Sequence, residues 1–542
     1  GSANGEGRAR DRMKATQLVA PAVPVRVLQA SLSQLDGRLS LPVAAPAEAL
    51  PGRGGFNLVL QPRLTGALPG LRRFFETYPY SCLEQLSSKA IGLGDAAQWQ
   101  ELMGRLPTYL DADGLASYFP PRGEQAPQGS DRLSAYLLAA AHEAGRPLPE
   151  AARNAMLDGL VAFVEGRVQR RFWTPRPQAL DGEVRRIAAL EALSRYDRAG
   201  PRLLATVDAR NIGNWPTAAM IDWLQIHRRS ASTPERDKRI AEAEAQLRSR
   251  LSYAGTTLKF SNEEGDAWWW LMDSADANAA RLILAVLDAP GWKDELPRLL
   301  QGALGRQKQG AWSTTTANLW GVLALQKFAV RFESARPAGK SVAALGGKTL
   351  NLDWARQPEG AALLLPWPEQ PASLSVEQQG TGKPWLTVQS LAALPLKAPL
   401  ASGYRVTKSL QPVEQKDKAR WSRGDIVRVR LELEAQADMS WVVLSDPVPG
   451  GASILGSGLG NNSSIAVHGE KQDGSAWLAY EERGFEAWRG YYQYLPRGKH
   501  VIEYTLRLNN PGRFQLPPTR AEAMYAPDSF GELPNAALEV AP

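Results

Sequence analysis

The sequence holds one cysteine in 542 residues, Cys82, and a glutamine three positions later, in the run Tyr78-Pro79-Tyr80-Ser81-Cys82-Leu83-Glu84-Gln85. Pro79 forces a bend, and a helix is predicted to begin just after it, with Ser81 as its cap. Cys82 and Gln85 are then i and i+3 at a helix start, so their side chains face each other. A cysteine sulfur held against a glutamine carbonyl can attack it and expel ammonia. The product is a macrocyclic thioester, which resists water better than it resists amines. A helix N-terminus lowers a thiol pKa and so favours departure of the thiolate. Tyr78 and Tyr80 stand where they would shield the bond from water. The plainer reading is that a lone cysteine is a small buried hydrophobe, and that C-x-x-Q by itself is a weak pattern. Glu84 reads as a residue that favours the helix N-terminus rather than one that takes part in the chemistry.

Other chemistry has less to build on. A single cysteine excludes an internal disulfide and a cysteine-rich zinc site. The four histidines (His142, His227, His468, His500) are scattered, with no HExxH pair, so neither a metal nor a cofactor is expected. The net charge of +7 is small for the length, and no basic run is interleaved with aromatics, which argues against nucleic acid. Asp111-Ala112-Asp113-Gly114 hints at a calcium loop but lacks the later ligands, so it reads as a solvated turn. Glu263-Glu264-Gly265-Asp266, with Asp273 and Asp276, could supply paired carboxylates for a carbohydrate-active enzyme. Asp273 and Asp276 read better as helix-cap residues. Trp268-Trp269-Trp270 could bind sugar, but reads as a buried aromatic cluster.

The elements that would position Cys82 and Gln85 follow from periodicity. Residues 1–20 read as a polar tail beginning with a tag remnant, Gly1-Ser2. Residues 21–66 show short alternating runs with Pro/Gly turns, such as Phe56–Leu60. From 67 to 332 the chain is rich in Ala, Leu, Arg and Glu at helical spacing, as in Leu133, Tyr136, Leu137, Ala140 and Ala141. A repeat runs through this block: an aromatic, then Ser, Thr or Asp able to cap, then an Ala-rich helix. It appears at Tyr118–Tyr136, Trp270–Leu287 and Trp312–Leu325. Repeated helical hairpins of this kind, about six of them, close into an α/α toroid. Residues 333–400 return to β character. From 401 to 542 period-two alternation, as in Val427, Val429, Leu431 and Leu433, predicts an antiparallel β-sandwich.

Tyr78–Gln85 resembles the thioester motif of bacterial α2-macroglobulins, which read CLEQ where vertebrate relatives read CGEQ; the match includes the preceding Tyr-Pro-Tyr. Asp113-Gly114-Leu115 through Tyr118-Phe119-Pro120, and Gly310-Ala311-Trp312-Ser313-Thr314-Thr315, resemble loops of that family's thioester domain. The resemblance covers about residues 23–542. It implies an α/α toroid (67–332) inserted in a β-rich CUB-like domain (21–66 and 333–400), followed by a terminal macroglobulin-like sandwich (401–542). It further implies a single-use protease trap rather than an enzyme. A protease cuts an upstream bait, and one of its lysine amines then attacks Gln85. Upstream macroglobulin-like domains, a periplasmic location and an N-terminal lipid anchor belong to the same expectation. In complement-like relatives a histidine relays the acyl group, but neither His142 nor His227 falls in a recognisable position for this. A toroid carbohydrate-active enzyme, and a non-covalent envelope scaffold with an uncyclised motif, stand as alternatives.

Overall fold

Phe56, Leu58 and Leu60 are buried while Asn57, Val59 and Gln61 between them are half-exposed, as a strand with one face on a core requires. The computed structural model describes residues 21–542 apart from 65–67, 122–128, 172, 176–179, 231–232, 234, 255–256, 262–267, 334–335, 457–469 and 472–474. Three strands come first: β1 (Arg26–Gln34), β2 (Arg38–Val43) and β3 (Gly54–Gln61). Their partners lie beyond the helices. Strands β6 (Lys340–Leu345), β7 (Lys348–Asp353), β8 (Ala361–Leu365), β9 (Ala372–Gln379) and β10 (Trp385–Ala392) complete two antiparallel four-stranded sheets, ordered β1-β10-β3-β8 and β2-β9-β6-β7. Leu58, Leu60, Leu352, Trp354, Leu374, Val376 and Leu386 fill the space between them. The chain leaves and re-enters this β unit at one point. The Leu64 amide donates to one oxygen of Glu333 (2.8 Å), and the Trp385 indole donates to the other (2.7 Å).

The intervening block holds helices α1 (Pro69–Thr77), α2 (Leu83–Gly92), α3 (Ala96–Arg105), α4 (Asp131–Glu143), α5 (Glu150–Val164), α6 (Asp181–Ser194), α7 (Pro201–Leu204), α8 (Thr217–Arg229), α9 (Arg236–Ser249), α10 (Ala275–Val286), α11 (Leu296–Leu304) and α12 (Thr315–Phe332). Helices α2, α4, α6, α8, α10 and α12 pack each on the next, and α12 packs back on α2, so the six close a ring. Five more flank it: α1 on α2 and α12, α3 on α2, α5 on α4 and α6, α9 on α8, and α11 on α10. Ser130, Ser274 and Thr314 cap α4, α10 and α12, each accepting from a backbone amide in the first turn. These are the cap positions of the sequence repeat.

Two expectations for this block do not hold. The stretch is not wholly helical, because β4 (Leu251–Ala254) and β5 (Thr257–Phe260) form a hairpin whose Leu258 is buried and whose β5 packs on α11. Thr257 and Phe260 favour extended backbone, which outweighs the helical bias of their surroundings. Asp273 and Asp276 are not caps either. Ser274 takes that role, Asp273 pairs with Arg132 (2.9 Å), and Asp276, in the first turn of α10, pairs with Arg306 (2.7 Å).

The last section is a β-sandwich. One sheet runs β11 (Leu400–Ser402), β21 (Phe530–Leu533), β20 (Thr519–Ala523), β14 (Met439–Pro447), β17 (Ala487–Leu495) and β16 (Trp477–Arg483) in spatial order. The other runs β12 (Tyr404–Glu414), β13 (Ile426–Ala435), β18 (Gly498–Leu508) and β15 (Ala452–Ile454), with β19 (Gly512–Phe514) and β22 (Leu538–Val540) as a separate ribbon. Val427, Val429, Leu431 and Leu433 face Val442, Leu444, Trp488 and Ala521 across the core. The first sheet has a second apolar face. Trp441, Val443, Tyr491, Met524 and Tyr525 belong to the same apolar cluster as the helix ring, so the sandwich docks on it.

Candidate functional site

Pro79 holds the chain extended into the start of α2, and the N-cap is Cys82, with φ −71° and ψ 166°. The expected cap, Ser81, lies one residue too early. Cys82 and Gln85 form a reciprocal capping box. The Gln85 backbone N–H donates to the Cys82 sulfur, while the Cys82 backbone N–H donates to Gln85 Oε1 (3.1 Å). The thiol and the side-chain carbonyl are thereby held at one helix end. The next amide, Leu83 N–H, donates to the Tyr118 carbonyl (2.8 Å), which ties the helix start to the 113–120 loop.

The other end of the glutamine amide points to the sandwich. Gln85 Nε2 donates to the Tyr78 hydroxyl (3.3 Å) and to the sulfur of Met524 (3.0 Å), just beyond β20. Cys82 is fully buried and Gln85 is 2% exposed. Tyr78, itself partly exposed, packs edge-on against buried Tyr80 (5.3 Å between centroids), and Tyr80 does the same to Tyr491 (6.3 Å). Phe119 stacks on Tyr480 (4.5 Å), and Tyr118 lies against Trp441 (3.9 Å). The two tyrosines singled out in the sequence are thus part of a larger aromatic wall, to which Trp441, Tyr480 and Tyr491 of the sandwich contribute.

Burial sets the electrostatics. It pushes the Cys82 thiol well above the usual range, Glu84 adds to this, and the helix amides pull the other way without prevailing. The thiol pKa is therefore raised, not lowered as the sequence suggests. Glu84 is fully buried and accepts from Ser88 (2.6 Å), Thr315 (2.8 and 2.9 Å) and Tyr525 (3.0 Å). Burial raises its pKa and these three hydroxyls partly offset the rise. Through them Glu84 joins α2 to the start of α12 and to the sandwich. Thr315 reaches it because the 310–314 loop lies close on α1: a Cβ on Gly70 would stand 2.1 Å from the Gly310 carbonyl oxygen.

The remaining candidates lie elsewhere. Asp111 does not form a solvated turn: it accepts from the amides of Asp113, Leu115 and Gly129, and Arg170 bridges it to Asp113 at 2.7 Å each. An arginine fills the place a cation would take. His142 packs on Tyr196; His227 is buried against Trp223 and bonds Thr233. Burial, and then Arg239 and Arg236, lower the His227 pKa to about 4. Trp268 and Trp270 stack on each other, with Trp269 edge-on to Trp270. Glu263, Glu264, Gly265, Asp266 and His468 lie outside the described residues.

Residues 403–528 match the family model described as the bacterial alpha-2-macroglobulin MG10 domain. The "Alpha-2-macroglobulin homolog" of Nostoc sp. is 22% identical over 445 residues, which are 78% of this chain and 22% of that protein. Residues 403–528 thus carry a domain of the bacterial α2-macroglobulin type, and the rest of the chain is similar to such proteins. The chain spans about a fifth of the length of that relative. Among solved structures, native Escherichia coli α2-macroglobulin from domain MG7 to the C-terminus superposes with a TM-score of 0.71 at 17% identity, covering 96% of this chain and 83% of that one. Salmonella α2-macroglobulin reacted with methylamine gives 0.66 at 19% identity, covering 96% and 34%. The multidomain α and β architecture is that of the C-terminal region of an α2-macroglobulin.

Sequence reasoning had quoted the loops carrying Tyr118 and Thr315 without assigning them a role. It missed Met524, Tyr525 and Trp441. Nothing in their local sequence marks them, because each acts only through docking of the sandwich.

Proposed function

We propose that this chain is the covalent-capture portion of a bacterial α2-macroglobulin protease trap, with a thioester between Cys82 and Gln85. The observation that carries the reading is the reciprocal capping box, which sets the sulfur beside an amide carbonyl already polarised by the Cys82 N–H. In ring closure the Cys82 sulfur adds to the Gln85 carbonyl carbon. The Cys82 N–H stabilises the oxyanion. The C–N bond breaks, and the thiol proton leaves on the nitrogen as ammonia. In capture a lysine amine of the protease adds to the same carbon, the C–S bond breaks, and the amine proton passes to the thiolate. The bond is used once, so the protein is an inhibitor and not an enzyme.

Tyr78, Tyr80, Met524 and Tyr525 keep the acyl group dry until the sandwich moves. Residues 67–332 are read as the α/α toroid thioester domain. Residues 21–66 with 333–400 are read as a CUB-like domain, and 401–542 as the terminal macroglobulin-like domain. Pairing of β1–β3 with β8–β10 across the helical block supports the insertion. Upstream macroglobulin-like domains, a bait, a periplasmic location and a lipid anchor complete the proposal. The Salmonella relative is described as reacted with methylamine, and the same small amine tests this chain.

The intact chain is expected to weigh one ammonia less than its sequence. Methylamine should add at Gln85 and free one thiol, and Cys82→Ala should abolish both effects. A sequence-exact mass with a titratable thiol before treatment would defeat the proposal.

A further inference from the structure

Trp441 has a left-handed backbone, with φ +54°. For a bulky residue this is a strained conformation that surrounding contacts must hold in place. Its neighbours are ordinary strand: Ser440 pairs with Tyr494 and Val442 with Tyr492, so the distortion is confined to one position of β14. Two contacts leave that position, and both lead to the acyl site. The ring, 8% exposed, lies on Tyr118 at 3.9 Å between centroids, and the Tyr118 carbonyl receives the Leu83 amide at the start of α2. The Trp441 carbonyl receives the Met524 amide (2.9 Å), and the Met524 sulfur rests on Gln85.

We infer that Trp441 is a strained anchor that couples docking of the sandwich to the placement of Met524 over Gln85. The stack on Tyr118 holds the left-handed backbone. That backbone aims the Trp441 carbonyl at the Met524 amide. When the sandwich lifts, the ring loses its partner, the residue relaxes to extended backbone, and Met524 is released. Uncovering the acyl group is then one concerted step rather than gradual loosening. Trp441 touches no reacting atom and is a positioning residue. This inference rests on the thioester reading.

The strain gives the test its direction. Glycine adopts the left-handed backbone without penalty, whereas alanine does not. Trp441→Gly therefore loses the ring but retains the carbonyl geometry, and Trp441→Ala loses both. Each variant is first weighed for the one-ammonia deficit and then treated with methylamine while thiol release is followed. Trp441→Phe is expected within about twofold of the unsubstituted chain, Trp441→Ala roughly tenfold faster, and Trp441→Gly between them. Simple loss of packing would instead make glycine at least as fast as alanine, and that order overturns the proposal, as does an unchanged rate in Trp441→Ala. Tyr118→Leu removes the stack from the other side and should match Trp441→Ala. If the unsubstituted chain shows no mass deficit, the thioester reading fails. Hydrogen exchange at the Met524 and Leu83 amides then carries the test, with the same order of exposure expected and equal protection in all variants counting against the anchor.

Discussion

Gln85 points its two amide atoms in opposite directions, the oxygen into its own helix start and the nitrogen toward a strand end 439 residues later in the chain. The first contact was legible in the sequence, because a capping box depends only on local spacing. The second was not, because no short-range pattern marks Met524 as a neighbour. The same division explains the thiol. Its place at a helix end could be read from Pro79 and Cys82, but its raised pKa comes from burial under distant residues. Cys82→Ala should lower stability by only about 1 kcal/mol while removing all methylamine uptake, since a sulfur is lost from a site that otherwise stays packed. Glu84→Gln is expected to cost more, about 1–3 kcal/mol in urea unfolding. Its NH2 would face one of three hydroxyl donors that now meet a carboxylate, leaving a buried donor without an acceptor.

At the scale of elements, the ring is bound by buried ion pairs between neighbouring helices. Glu191 on α6 meets Arg195, which caps the end of the same helix, and Arg229 on α8, at 2.7 Å each. Burial alone would raise the Glu191 pKa, but Arg195 and then Arg229 outweigh it and bring it down to about 2. A carboxylate depressed from 4.5 in this way contributes stability that is fully present above pH 4.5 and lost as the pH falls through about 2. Glu191→Gln is expected to destabilise by about 1–3 kcal/mol at pH 7, because buried Arg195 keeps only Glu143 and the partly exposed Arg229 loses its carboxylate. The difference from the unsubstituted chain should shrink steadily between pH 4.5 and pH 2, measured by urea unfolding across that range. Cap residues such as Ser274 were visible in the repeat, whereas the partners of Asp273 and Asp276 were not. A cap is chosen by the next few residues, but an ion pair by helices distant in sequence.

At the scale of the whole molecule, the candidate site is finished only where ring and sandwich meet. Met524→Ala should speed methylamine uptake by about tenfold, and Tyr525→Phe by less, since it removes one hydrogen bond to Glu84 and keeps the ring. A mass-spectrometric time course of adduct formation distinguishes the two, and equal rates in all three proteins would show that the sandwich does not guard the bond. Strand alternation predicted the sandwich but not that part of its outer face is apolar as well. Val443 and Tyr491 are buried against helices that periodicity alone cannot place.

Glu333 clasps both crossings between the β unit and the helical block, holding Leu64 with one oxygen and Trp385 with the other. The block also rests on the β unit where Arg73 donates to the Val25 carbonyl and Gly310 lies against Ala30, whereas its mooring to the sandwich is made of side chains rather than shared strands. No strand ladder joins the block to the sandwich among the described residues, so parting the two would break packing and side-chain bonds while leaving every sheet zipped.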